Sequence, residues 1–279
     1  ILKRGELLAS LVSGRKLVAV AGSHGKTTTC GMLAHLLRHS GFFFDYILGG
    51  FYKSSDVMPA LYMGAEWVVA EIDESDGTIQ EFSPELTLIL NSDWDHPSYY
   101  ESAKSYENAL SDLFKRTGHA LLLPAANEAL LEIAEAADVD VLTYGETGDY
   151  SATYQMKKYN ESVLELGGAF QAKNIPLPFA GAFNWHNALA ALTAASWLLK
   201  DDSLLSETVF DGYSGIKRRQ DIHYQDDDFT VIADYAHHPS EISALLDYIR
   251  SWAEGPVHVV FQPHRYSRTK AFADDFAEV

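Results

Sequence analysis

Six apolar-rich residues, Lys16–Ala21 (KLVAVA), run directly into Gly22-Ser-His-Gly-Lys-Thr-Thr28 and then into the helix-patterned stretch Thr27–His39. A buried strand, a glycine-rich turn and a helix N-terminus in that order form a cradle for phosphate. The glycines let backbone N–H groups turn inward, and the helix end adds a favourable dipole. In such a cradle Lys26 reaches the β- and γ-phosphates of a nucleotide and the Thr27 hydroxyl meets Mg²⁺. The generic G-x-x-x-x-G-K-[ST] pattern is not met, because its first glycine falls at Val20; the glycine stands at Gly22, leaving a shorter loop. A glycine turn capped by Thr27, with Lys26 in solvent, is the competing reading. The complete strand–loop–helix context favours phosphate. The loop alone does not choose between kinases, GTPases, motors and ligases.

The same rhythm continues along the chain. Glu66–Glu71, Leu86–Asn91, His119–Leu123, Val139–Tyr144, Thr230–Asp234 and Val257–Gln262 read as strands, several apolar on both faces. Between and after them lie helical patterns at Tyr100–Arg116, Asn127–Ala137, Asn187–Lys200 and Ser240–Ala253. This alternation predicts an α/β fold with a doubly wound, mostly parallel sheet. Tyr150–Pro178 breaks the rhythm with Gly- and Asn-punctuated segments, which predict a small antiparallel side sheet. The acidic KDDSLLSE segment then precedes a new strand–helix pattern, so we expect one unit over 1–205 and a second over 206–279.

Composition narrows the partners. The 279 residues carry 21 Lys plus Arg against 39 Asp plus Glu, a formal charge of −18. Such a field repels nucleic acid and anionic membrane surfaces, so no nucleic-acid or membrane partner is expected. An anionic ligand needs a local cationic or N–H site. No apolar run approaches the roughly 20 residues that span a bilayer, and the single Cys30 forms no internal disulfide. These features predict a cytoplasmic protein.

Other polar clusters fall at predicted strand ends, where open α/β sheets bind ligands. Glu71-Ile-Asp-Glu-Ser-Asp76 either holds a metal or caps a turn, and Glu71, still on the strand, favours the metal. Asn91-Ser-Asp-Trp-Asp-His-Pro97 offers His96 as a ligand for a second metal ion or as a structural hydrogen-bonding residue. Gly181-Ala-Phe-Asn-Trp-His-Asn187 offers Asn184 and Asn187, whose amides suit adenine, though helix capping by Asn184 explains that residue equally. Lys217-Arg-Arg219, Asp234-Tyr-Ala-His-His-Pro239 and Gln262-Pro-His-Arg-Tyr-Ser-Arg268 add basic groups that suit an anion or stand in solvent.

Taken in order, AGSHGKTTT, EIDESD, NSDWDH, FNWHNALAAL, GIKRR, DYAHHP and FQPHRYSRT resemble the Mur ligases, ATP-dependent amide-bond-forming enzymes of peptidoglycan synthesis. The shortened loop is specific to that group. EIDESD and FQPHRYSRT resemble most the branch that joins L-alanine to UDP-N-acetylmuramate; a sibling branch joins recycled murein tripeptide, and a non-catalytic ATP-binding relative is a third possibility. The resemblance implies ATP and Mg²⁺ as cofactors and a carboxylate activated as an acyl phosphate. Gly22, Ser23, His24, Gly25, Lys26, Thr27 and Thr28 then hold phosphate, and Thr27, Glu71 and His96 hold metal. Asn184 and Asn187 hold adenine, Asp234 the ribose. Arg218 (or Arg219), His264, Arg265 and Arg268 reach phosphate or the amino-acid carboxylate. Lys26, Glu71, His96, Arg265 and Arg268 form the implied catalytic set. Phe183 stands where many relatives have His, and neither Lys104 nor Lys115 matches the carbamylated lysine of other branches. The resemblance further implies a UDP-sugar domain before the ATPase unit and a Rossmann-like unit after it, only partly present here. On that basis the chain is expected to bind adenine nucleotide yet not to complete ligation alone.

Overall fold

The computed structural model describes residues 2–158, 161–171, 174–179 and 181–279. Helix α1 (Arg4–Val12) leads to strand β1 (Lys16–Ala21), the glycine loop and helix α2 (Lys26–His39). There follow β2 (Phe44–Ile47), the two-residue β3 (Ala60–Leu61), β4 (Trp67–Glu71) and β5 (Leu86–Ile89). Next come α3 (Ala103–Lys115), β6 (Ala120–Pro124), α4 (Glu128–Ala134) and β7 (Asp140–Gly145). The antiparallel strands β8 (Tyr150–Lys158), β9 (Glu161–Gly168) and β10 (Asn174–Leu177) precede the long helix α5 (Ala182–Leu199). The C-terminal part holds β11 (Asp221–Gln225), β12 (Thr230–Ala233), α6 (Pro239–Arg250), α7 (Tyr266–Ala271) and α8 (Ala273–Glu278).

Ten strands form one sheet in the order β10-β9-β8-β7-β6-β5-β1-β4-β2-β3. β1 pairs in parallel with both β4 and β5. Its alternate side chains feed different cores: Val18 and Val20 pack with α2 and α5, whereas Leu17, Ala19 and Ala21 pack on the opposite face with α3 and α4. That double burial is why KLVAVA has no polar face. Each fully buried Leu or Val of these layers contributes about 1.5–3 kcal/mol relative to exposure. From β1 the chain winds one way through β4 and β2, and from β5 the other way through β6 and β7. The crevice between the carboxyl ends of β1 and β5 is therefore the topological switch point.

The antiparallel strands are present, and they join the large sheet's edge through the short parallel contact of Tyr144–Gly145 with Tyr150–Ser151. Tyr159, Asn160, Ala172 and Lys173, inside the expected side sheet, lie outside the described residues. Two expectations are corrected. Val257–Gln262 forms no strand: among the described residues the second sheet holds β11 and β12 alone, and an extended segment without a pairing partner has no ladder to join. Helix α5 begins at Ala182 with Gly181 as its N-cap, five residues before the expected start at Asn187. Between α5 and β11, Val209, Phe210, Tyr213 and Ile216 are buried against the first core. There Tyr52 bridges Ile216, and Lys53 Nζ lies 2.9 Å from an Asp221 carboxylate oxygen.

Candidate active site

The loop Gly22–Gly25 sits at the β1/β5 crevice because its glycines permit what other residues cannot. Gly22 has φ +120°, and a Cβ there meets the backbone of Asn91 and Leu90 at 2.9–3.1 Å. Gly25, at φ +82°, caps α2 and would place a Cβ 2.4 Å from Asn187 Oδ1. Both conformations strain any L side chain. Asn91, just past β5, fixes the loop from the other side: its Oδ1 accepts from the His24 N–H (2.9 Å) and its Nδ2 donates to the His24 carbonyl (3.1 Å). Ser23 Oγ donates to the Asp93 carbonyl.

Lys26 curls back over the loop. Its ammonium donates to the Gly22 carbonyl (2.6 Å), the Ser23 carbonyl (3.2 Å) and Glu74 Oε1 (3.0 Å). Burial works against its charge, but Glu74, Glu71 and Asp73 outweigh burial and raise its pKa above the ordinary lysine value. Thr27 Oγ1 donates to Glu71 Oε2 (2.7 Å), which also accepts from the Gly49 N–H (3.2 Å). Hydroxyl and carboxylate thus stand together as hard oxygen donors.

His96 lies across the crevice in a left-handed conformation, φ +58°. Its Nε2 is 3.5 Å from Glu74 Oε1, and its Nδ1 is 3.4 Å from Arg265 Nη1. Glu74 is buried, and its Oε2 has no hydrogen-bond partner. An orphaned buried carboxylate oxygen beside an imidazole and a second carboxylate fits a divalent cation.

Next to this polar cluster opens a cavity of about 890 Å³. Gly25 and Asn91 form one wall, Asn184 and Asn187 of α5 another, and Asp234 and Glu241 of the C-terminal part a third. Asn184 lies within the first turn of α5 and its Nδ2 donates to Gln220 Oε1 (2.8 Å), so it does not cap the helix. Asp234 accepts from the N–H groups of Gln220 (2.8 Å) and Ala236 (2.7 Å), while burial pushes its carboxyl above the usual range. Phe183 lines the cavity as well.

Two expected residues stand elsewhere. Arg218 is exposed and its backbone N–H donates to Asp221; Arg219 lines the cavity instead, its guanidinium 5.3 Å from the Tyr235 ring centre. Arg268 does not face the cavity: it is 2% exposed, and Nε and Nη2 donate to the two oxygens of Asp95 at 3.0 and 2.8 Å. His264 and Arg265 remain exposed. Residues not singled out from sequence include Asn91, Glu74, Asp95 and Glu241, whose Oε1 lies 3.3 Å from His24 Nδ1. Asn91 had one available signal, a polar side chain ending an apolar strand next to the phosphate-loop strand.

The chain is similar to known proteins along most of its length. Residues 20–195 match the Mur ligase middle domain, and residues 218–279 match the Mur ligase, glutamate ligase domain. The chain is 36% identical over 290 residues to the UDP-N-acetylmuramate–L-alanine ligase of Syntrophomonas wolfei, covering 100% of this chain and 61% of that protein. It is 36% identical over 282 residues to the enzyme of that name from Rubrobacter xylanophilus, covering 99% and 62%. The chain thus spans about three-fifths of the length of these relatives. The crystal structure of UDP-N-acetylmuramate-alanine ligase from Thermotoga maritima superposes with a TM-score of 0.78 at 29% identity, over 96% of this chain and 62% of that one. A murein peptide ligase from Psychrobacter arcticus shares the fold, with a TM-score of 0.67 at 20% identity, over 94% and 62%.

Proposed function

We propose that this chain, which belongs to the Mur ligase family, is the catalytic ATP-binding part of a ligase joining L-alanine to UDP-N-acetylmuramate in the cytoplasm. The observation that carries the reading is the cavity wall. Phosphate loop, α5 asparagines and C-terminal acids converge on one space beside Lys26, Thr27, Glu71 and His96. The similarity to ligases of that name supports the choice of substrates. Two matched family segments, 20–195 and 218–279, support a first unit ending near residue 205 and a second beyond it.

A carboxylate is a poor electrophile. In the proposed reaction its oxygen attacks the γ-phosphorus of ATP, ADP leaves, and the resulting acyl phosphate accepts the alanine amine with loss of phosphate. The enzyme's share is positioning and charge stabilisation. The backbone N–H groups of Gly22–Thr28 orient the phosphates, and Lys26 neutralises their developing charge. Asn184 and Asn187 hold the adenine edge, and Asp234 the ribose. Arg219 is the cation on the cavity wall for phosphate, while the exposed Arg265, with Nη1 3.4 Å from His96 Nδ1, meets the amino-acid carboxylate. Thr27 and Glu71 would hold one Mg²⁺ and His96 a second, and when bound these ions would screen the like charges of carboxylate and phosphate.

The test is phosphate release by the complete ligase, with the UDP-sugar domain that the resemblance implies, given ATP, Mg²⁺, UDP-N-acetylmuramate and L-alanine; the chain by itself is expected only to bind nucleotide. Release that requires all four supports the reading. Release with murein tripeptide in place of L-alanine moves the protein to the recycling branch. Tight ATP binding without release under any combination leaves a nucleotide-binding module.

A further inference from the structure

We propose that Lys53, which does not itself line the nucleotide cavity, is a positioning residue: it holds the strained link 216–221 in the conformation that turns Arg219 into that cavity. The inference rests on the reading above for the phosphate that Arg219 meets. Lys217, Arg218 and Arg219 stand in a row, and of the three Arg219 alone lines the cavity while the other two are exposed. The backbone makes that choice. Arg218 and Gln220, on either side of Arg219, have φ of +60° and +48°, in the left-handed region that side chains disfavour. Such residues keep that conformation only where their surroundings over-determine it. Both are clipped. The Arg218 N–H donates to an Asp221 carboxylate oxygen, and the Arg218 carbonyl accepts from the Tyr235 N–H (2.8 Å). The Gln220 N–H donates to Asp234 Oδ2 (2.8 Å), and the Gln220 carbonyl accepts from Lys53 Nζ (3.1 Å). The same ammonium lies 2.9 Å from Asp221 Oδ1, so it also orients the carboxylate that clips Arg218.

Lys53 reaches the link from the loop between β2 and β3, and that loop is a fixed base. Gly49 N–H donates to Glu71 Oε2 (3.2 Å), and the buried Tyr52 hydroxyl donates to the Gly31 carbonyl of α2 (2.9 Å). A Cβ on Gly50 would stand 3.0 Å from Thr27 Cγ2, so the loop lies against the start of α2. Its far end pairs with the link as a short antiparallel ladder. Lys217 N–H donates to the Phe51 carbonyl (2.8 Å) and Lys53 N–H to the Gly215 carbonyl (2.9 Å), on either side of the Tyr52–Ile216 bridge. The ladder fixes the link as far as Lys217. Beyond it, where φ turns positive, the Lys53 ammonium carries the hold on to Gln220 and Asp221. Without that ammonium the link relaxes toward negative φ. The Arg219 side chain then rotates away from the cavity wall and from the Tyr235 ring, whose centre is 5.3 Å from its guanidinium. One loop thus braces the start of α2 and, through Lys53, aims the cation on the opposite side of the cavity.

Calorimetric ATP affinity of the wild-type chain, Lys53→Met, Arg219→Met and the double variant tests the assignment. Arg219→Met should weaken ATP by about tenfold or more, and Lys53→Met by roughly threefold or more. Once Arg219 is gone, Lys53→Met should cost nothing further, because it acts only through that side chain. Lys53→Arg keeps a cation that can donate to the Gln220 carbonyl and pair with Asp221, and should recover most of the affinity. Unchanged affinity in Lys53→Met overturns the proposal. So does a loss that repeats in full in the Arg219→Met background, which would mean that the Lys53 charge acts on phosphate through space. If thermal melts show that Lys53→Met does not fold, Asp221→Asn loosens the same clip and takes its place, with the same expected dependence on Arg219. A wild-type chain that binds no ATP takes away the reading of the cavity and this proposal with it. ATP binding with a Lys53 effect independent of Arg219 sinks the positioning role alone.

Discussion

Asp95 and Arg268, 173 residues apart, form a bidentate ion pair with both side chains at most 3% exposed. One end follows β5 next to His96; the other lies on α7 in the C-terminal part. The pair therefore ties the loop that carries His96 to the second half of the chain. Around it the rings of Trp94 and Phe272 (5.6 Å) and of His238 and Phe272 (4.6 Å) seal the contact.

Removing one partner leaves the other charge buried. Arg268→Ala should cost about 3–5 kcal/mol in stability, and Asp95→Asn combined with Arg268→Gln should cost less than the two single changes added together. Urea unfolding of wild type, the three single variants and the double variant checks this. Additive costs would mean that the two groups do not interact. Burial pushes the Asp95 carboxyl up, but Arg268, His96 and the His96 N–H outweigh it and hold the pKa well below the carboxylate range. A depressed carboxylate contributes its stability above the unfolded value, about 3.9, and loses it as pH falls. The stability gap between wild type and Asp95→Asn should thus be constant near neutrality and shrink on acidification below about pH 4. A gap that widens there would contradict the assignment.

Lys26→Ala removes the one side-chain cation of the loop, so ATP affinity should fall by at least about tenfold, or 1.4 kcal/mol. Isothermal calorimetry reads it directly. Unchanged affinity would take the phosphate role away from this lysine.

In the complete ligase, Glu71→Ala and His96→Ala should depress turnover by roughly a hundredfold or more while changing ATP affinity much less, because charge on the transferring phosphoryl group grows toward the transition state. The comparison needs kcat and nucleotide Kd for each variant. Wild-type turnover in both would remove them from the metal site.

Gly22→Ala places a methyl within 2.9 Å of the Asn91 carbonyl at a φ of +120°. The collision is with backbone, which cannot rotate away, so the loop must shift and about 1–3 kcal/mol of strain is expected. Asn91→Ala loosens the same contact by deleting two hydrogen bonds to His24, at roughly 1 kcal/mol each. Thermal melts and ATP affinity should fall in both variants. An Asn91→Ala protein as stable and as tight as wild type would show that the loop holds its shape without that clamp.

The local parts of this protein are written in the sequence. The two-faced apolar runs of β1, β4 and β5 could only be central strands, and Gly22 and Gly25 mark where the backbone must take positive φ. Lys26 and Thr27 follow at the start of a helix, so their placement needs no distant information. What the sequence could not assign was partnership. Lys26 meets Glu74 rather than solvent, Asn91 clamps His24, and Arg268 is consumed by Asp95 although the motif around it reads as a free basic group. Those pairings depend on β1 lying between β4 and β5, which brings three separate loops to one crevice. The failure of Val257–Gln262 to form a strand has the same origin, since a strand exists only through its neighbours. Periodicity and backbone sterics act over a few residues and are legible one at a time. Ion pairs, clamps and cavity walls are fixed by which strand ends the sheet order sets side by side, and only the tertiary structure decides that.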